Sequence, residues 1–140
     1  MVNCHFTVAV HVLCLLAHLQ GKRVTSEFVA GSVNTNPVLI RRMLAALRKA
    51  GLVRSRPGVA GGWELVSKPW AITLRQIYQL IRPGTMLALH SKKPNPRCPV
   101  GRRGQQALLA HYRKARAAIE HELAQSTIAD VLHDVLAAGK

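Results

Sequence analysis

Acid is what this chain lacks most. Six Asp and Glu stand against twenty Lys and Arg in 140 residues, a formal net charge of +14. Before Glu120 the only carboxylates are Glu27 and Glu64, which fit a helix cap and a strand surface. General acid–base chemistry usually needs paired titratable groups, and none is placed here. Neither a phosphate-binding loop nor a nucleophile elbow occurs, so the chain reads as no enzyme. Aromatics make up only 4%, so the core is expected to be aliphatic and helical. The three cysteines, Cys4, Cys14 and Cys98, are too few and odd in number for a disulfide framework, which points to a reducing cytoplasm. The one long apolar run, residues 6–19, carries His11, Cys14 and His18 and is too short to span a bilayer. It is read neither as a signal peptide nor as a membrane segment. Repeats and low-complexity tracts are absent.

What is present is positive charge and helical periodicity. An excess of this size calls for an anionic partner. The charge is uneven, because Glu120, Glu122, Asp130 and Asp134 all lie in the last 21 residues. Apolar residues at 49% are enough for a folded core.

The first helix is expected over 6–19, apolar nearly all round and therefore buried on more than one side. Thr25 or Ser26 caps a second helix ending near Val33, with Glu27 at its positive end. Asn36 then serves as N-cap and Pro37 as first residue of a third helix running to about Ala50. Its apolar stripe is Val38, Ile40, Met43, Leu44 and Leu47, and Arg41, Arg42, Arg48 and Lys49 lie off or beside it. Gly51 stops this helix. Residues 52–55 and 62–65 read as paired strands, linked by a segment punctuated by Pro57-Gly58 and Gly61-Gly62. Trp63 and Trp70 are expected to anchor the hairpin and its exit to the core. Thr73 caps a fourth helix over 74–81, ended by Pro83-Gly84. An irregular connector with Pro94, Pro96 and Pro99 leads to a long helix over about 102–124. Along it Leu108, Tyr112, Ala115, Ile119 and Leu123 recur at steps of 4, 3, 4 and 4, a single apolar seam close to a coiled-coil repeat. Ser126 or Thr127 caps a last short helix.

Residues 36–65, NPVLIRRMLAALRKAGLVRSRPGVAGGWEL, carry the functional signal. A capped basic amphipathic helix is followed at once by a hairpin whose connection is rich in Arg, Gly and Pro. Arg and Lys neutralise phosphates and release counterions, and Arg can fork onto a guanine edge. Arg54 and Arg56 flank a loop whose glycines let backbone approach another backbone closely. This order of parts is a winged helix-turn-helix: one helix for a DNA groove and a β-hairpin bracing the backbone beside it.

The same run, with LRKAGLVRSRPG followed by GGWEL, resembles the Rrf-two (BadM) family of bacterial winged-helix transcription regulators. The resemblance continues through Ile72-Thr73-Leu74, Ile77-Tyr78 and the long C-terminal helix, and its most specific element is residues 50–62. It implies a mostly α fold with a small β-hairpin, made of a winged helix-turn-helix and a long dimerisation helix. It also implies a homodimer on double-stranded DNA, acting as a repressor. Carried over by position, Asn36, Val38, Leu39, Arg41 and Arg42 face DNA, while Arg54, Arg56, Gly61 and Gly62 form the wing. The seam Leu108, Tyr112, Ala115, Ile119 and Leu123 becomes the dimer interface. Several family members hold an iron–sulfur cluster through three cysteines between the fourth helix and the dimerisation helix. This chain has only Cys98 there. The resemblance is therefore to the subgroup without cluster ligands, and no metal or other cofactor is expected.

Cys98 is the sensor candidate, because Arg97, Arg102, Arg103 and a helix N-terminus all favour its thiolate. The alternative is a packed thiol, with an unidentified small molecule as effector. Cys14 is expected in the core. None of the seven His has zinc-site spacing. The chain divides into a DNA-binding domain, 1–82, a connector and sensor loop, 83–100, and the dimerisation and C-terminal helices, 101–140. An alternative function on the same charge is a non-specific RNA-binding or architectural protein.

Overall fold

The computed structural model describes residues 4–82 and 87–139. The expected helix stop at Pro83-Gly84 and the start of the connector lie outside those residues. The elements in order are α1 (His5–His18), α2 (Ser26–Val33), α3 (Pro37–Lys49), β1 (Val53–Arg56), β2 (Gly62–Leu65), a 3₁₀ turn (Pro69–Ala71), α4 (Leu74–Ile81), α5 (Pro99–Leu123) and α6 (Ile128–Ala138).

Local chemistry sets most boundaries. Thr25 Oγ1 accepts the Phe28 amide at the start of α2, and Asn36 Oδ1 accepts the Val38 amide, 2.8 Å, at the start of α3. Between them Asn34 adopts the left-handed conformation at φ 60°, which a short polar side chain tolerates better than most. At the far end of α3 the Gly51 amide donates to Arg48 O and the Leu52 amide to Leu47 O, 3.0 Å. That pair of bonds is a Schellman ending, with Gly51 in the left-handed position at φ 80°. It claims Leu52 for the helix stop, so the first strand runs Val53–Arg56, one residue later than the sequence suggests. The two strands pair antiparallel with Arg54 opposite Glu64 and Arg56 opposite Gly62.

The core is one aliphatic cluster. Val12 and Leu13 of α1, Val29 of α2, Ile40, Leu44 and Leu47 of α3, Val53, Ile72, Ile77 of α4 and Ile128 of α6 are all almost fully enclosed. Cys14 lies in it as expected, and burial pushes its thiol pKa up. Trp63 packs against this core, but Trp70 is a correction: it is 66% exposed, with Lys68 Nζ 5.9 Å from its ring centroid. Ile72, two residues on, fills the interior position expected for Trp70.

Two capping boxes meet at the base of the domain. Thr73 and Thr127 each cap their helix with a reciprocal side-chain bond, from Gln76 and Asp130 respectively. The two caps lie against each other as an isolated antiparallel bridge. The Leu74 amide donates to Ser126 O and the Ile128 amide to Ile72 O, both 2.9 Å. The division of the sequence at 83–100 groups α6 with the long helix, yet α6 packs on α1 and on the 3₁₀ turn, and Ile128 sits in the same core as Ile72. The long helix begins at Pro99, with Cys98 as its N-cap, rather than near Arg102. It rests on α4 and buries no residue fully.

Candidate nucleic-acid interface

Helix α3 presents two faces. Ile40, Met43, Leu44 and Leu47 enter the core, whereas Val38, Arg41, Arg42, Ala45 and Lys49 stay exposed at helical spacing. Val38, placed by the sequence both in the apolar stripe and on the DNA side, belongs to the exposed face at 49%. Leu39 is half-buried beside it. The Asn36 side chain is engaged as the cap. It marks the N-terminal end of the helix, where backbone N–H groups and the helix dipole favour phosphate.

The hairpin carries its charges on one face. Period-2 alternation puts Arg54, Arg56 and Glu64 together, with Val53, Trp63 and Leu65 on the core side. Arg54 Nε donates to Glu64 Oε1 at 2.6 Å and Arg56 Nε to the same oxygen at 2.8 Å. These two bonds hold the Glu64 carboxyl below its ordinary pKa. On the helix side Arg41 Nη2 donates to Glu27 Oε1 at 2.9 Å. The Glu27 carboxyl is likewise lowered, first by its own backbone amide and then by Arg41. Arg42 is exposed and forms no ion pair among the described residues. Arg48, also exposed and seven residues on from Arg41 along the same side of the helix, has its guanidinium 5.9 Å from the Trp63 ring centroid. That contact bridges the end of α3 to β2.

The glycines of the wing do approach another backbone, and it is the chain's own. A Cβ on Gly61 would meet Arg56 O, and one on Gly62 would meet Val24 O at 2.8 Å and Val24 N at 2.9 Å. The Trp63 amide donates to Val24 O at 2.8 Å, and Arg23 Nε donates to Gly61 O at 2.7 Å. The wing is thus clamped to the segment before α2. The sequence motif points to these positions, but only the fold supplies their partner. At the wing tip Val59 is 92% exposed.

Cys98 is exposed at the start of α5. The preceding turn is built by Asn95, whose Oδ1 accepts the Arg97 amide and whose carbonyl accepts the Cys98 amide. Gly101 lets this turn fold over the first turn of α5, since a Cβ there would lie 2.6 Å from Asn95 O. Of the other cysteines, Cys14 is in the core and Cys4 is the exposed N-cap of α1. Among the described residues no three of His, Cys, Asp and Glu come together as a metal-binding group. That donor set does not fit a cluster held within one chain. Among the described residues no helix is long and apolar enough to cross a membrane. Along α5, Leu108 is exposed, and Tyr112, Ala115, Ile119 and Leu123 are half-covered.

Residues 2–134 match the family model described as Rrf2, iron-dependent transcriptional regulator. A curated relative, "Putative HTH-type transcriptional regulator YwnA" of Bacillus subtilis (strain 168), is 38% identical over 133 residues, covering 95% of this chain and 98% of that protein. Among solved structures, a putative transcriptional regulator from Lactobacillus plantarum superposes with a TM-score of 0.78 at 28% identity, covering 94% of this chain and 89% of the other. The T. potens IscR structure superposes with a TM-score of 0.73 at 25% identity, covering 96% and 88%.

Proposed function

The chain belongs to the Rrf2 family of transcriptional regulators, and on that premise we propose that it represses transcription as a two-fold homodimer on a near-palindromic DNA site. It is a DNA-binding regulator; the dimer, the repression and the individual contacts are the proposal. Helix α3 enters the major groove, led by Asn36 and Val38 at its N-terminal end, with Leu39 beside them and Arg41 and Arg42 reaching base edges or phosphates. Arg54 and Arg56 take phosphates beside the groove, and Gly61 and Gly62 shape the hairpin that carries them. The seam Leu108, Tyr112, Ala115, Ile119 and Leu123 joins the two chains. Residues 1–82 with α6 packed on them form the reading unit, 83–100 the connector with Cys98 as its signal-receiving thiol, and α5 the assembly element. The compartment is the cytoplasm. Steric occlusion of a promoter is the mechanism.

One observation carries this reading. The exposed basic face of α3 and the charged face of the hairpin belong to one packed unit, joined by the Gly51–Leu52 turn and by Leu47 and Val53 in the same core, so both can meet one duplex. The test is selection of bound duplexes from a random pool, followed by titration of variants. Arg41→Ala should weaken binding to the selected site and relax base preference at one position per half-site, by about 1–3 kcal/mol for a bidentate contact. Arg56→Ala should weaken all duplexes alike and flatten the salt dependence. Recovery of no defined sequence would favour the architectural or RNA-binding alternative.

A further inference from the structure

The chain has two carboxylates before Glu120, and both are spent on arginines of the DNA-facing elements. Glu27 holds Arg41, and Glu64 holds Arg54 and Arg56. No other Lys or Arg among the described residues has a carboxylate partner. In a chain of net charge +14 this selectivity needs a reason beyond neutralisation, because twenty cations compete for these two acids. Register supplies part of it: Glu64 sits opposite Arg54 in the ladder, and Arg56 is two residues on along the same face.

The geometry at Glu64 is that of a substitute phosphate. A single carboxylate oxygen accepts from two guanidiniums at 2.6 and 2.8 Å. The Glu64 side chain is 21% exposed, while those of Arg54 and Arg56 are 61% and 66% exposed. The acid thus lies beneath, and the arginines lie above it, open to solvent. A phosphate arriving at the wing must take the same N–H donors, and it meets a negative charge under them. We infer that Glu64 is an internal competitor for DNA phosphate and that it limits the sequence-independent part of binding. This rests on the wing lying on the duplex, as in the reading above. Sequence-independent binding comes almost wholly from phosphate neutralisation. A regulator this basic would otherwise be held on arbitrary DNA, and Glu64 lowers that background without touching the base-reading helix.

The test is fluorescence anisotropy of the full chain with a labelled duplex of arbitrary sequence, across a salt series. Glu64→Gln keeps the size of the side chain and removes its charge. It should bind the arbitrary duplex roughly threefold more tightly at low salt, the scale of two exposed ion pairs. The slope of log affinity against log salt should steepen by up to about 0.9 for each phosphate newly neutralised. Asp134→Asn on α6 makes the same change in net charge far along the chain and should leave both quantities near wild type. In the Arg54→Ala/Arg56→Ala background, Glu64→Gln should give a clearly smaller gain, because only the direct repulsion of phosphate is left to remove. An unchanged or weaker Glu64→Gln, an equal gain from Asp134→Asn, or a gain undiminished without the two arginines would each overturn the inference. If instead Arg54→Ala/Arg56→Ala binds as well as wild type, the wing is not on DNA and the underlying reading fails. A thermal melt of each variant separates loss of fold from loss of contact.

Discussion

Gly62 shows how much a single missing side chain can fix. Its Cα faces the Val24 backbone so closely that a methyl group would lie 2.8 Å from Val24 O. Gly62→Ala must push β2 away from that segment and break the bond from the Trp63 amide to Val24 O. The expected cost is about 1–3 kcal/mol, read as a lower denaturant midpoint, with weaker binding to all duplexes because the wing arginines shift together. Cys98 is the other residue whose chemistry can be isolated. Its sulfur attacks one oxygen of peroxide and becomes a sulfenic acid, while the O–O bond breaks and the other oxygen leaves as water. We expect mild peroxide to weaken operator binding by the wild-type protein and not by Cys98→Ser, which should otherwise bind normally. Equal sensitivity of the two proteins would move the signal elsewhere.

At the scale of elements, α5 raises the largest question. It is 25 residues long, about 37 Å at 1.5 Å per residue, and none of those residues is fully buried in one chain. Ile119→Glu puts a charge into the seam and should produce monomers by sedimentation, with operator affinity lost through the loss of one half-site. A stable wild-type monomer at micromolar concentration would count against the dimer. Most of the elements are legible in the amino-acid sequence alone. Asn36-Pro37 and the alternation of β2 are local signals, and they set α3 and the hairpin within a residue. Thr73 and Thr127 do the same for α4 and α6. What the sequence does not reveal depends on residues far apart in the chain. The Arg41–Glu27 pair spans 14 residues, and the bond from Trp63 to Val24 spans 39. Leu52 belongs to the helix stop rather than the strand because a Schellman ending and a strand start both call for an apolar residue after glycine. Trp70 lies outside, against expectation, because hydrophobicity alone does not say which of two neighbouring apolar residues faces inward.

At the scale of the molecule, the first and last helices of the described residues meet. Helix α6 packs on α1, and Ile128 is wholly enclosed. Ile128→Ala should cost roughly 2–5 kcal/mol, a large part of the roughly 5–15 kcal/mol that holds a typical domain together. Circular dichroism melting should record it as a lower midpoint of the whole cooperative transition, not as fraying of one helix. A chain ended after Gln125 should fare worse, because Ile72 would lose both its cover and the amide that bonds its carbonyl.

The back-to-back caps at Thr73 and Thr127 also bear on how the protein is made. A ribosome delivers α1 to α4 and the hairpin well before α6, yet the interior of that early portion stays open until Ile128 arrives. The segment that readies the winged helix is therefore synthesised only after the whole of α5. A message cut short before codon 128 should therefore yield a product whose aliphatic interior is uncovered at Ile72, fit for a protease rather than for a promoter.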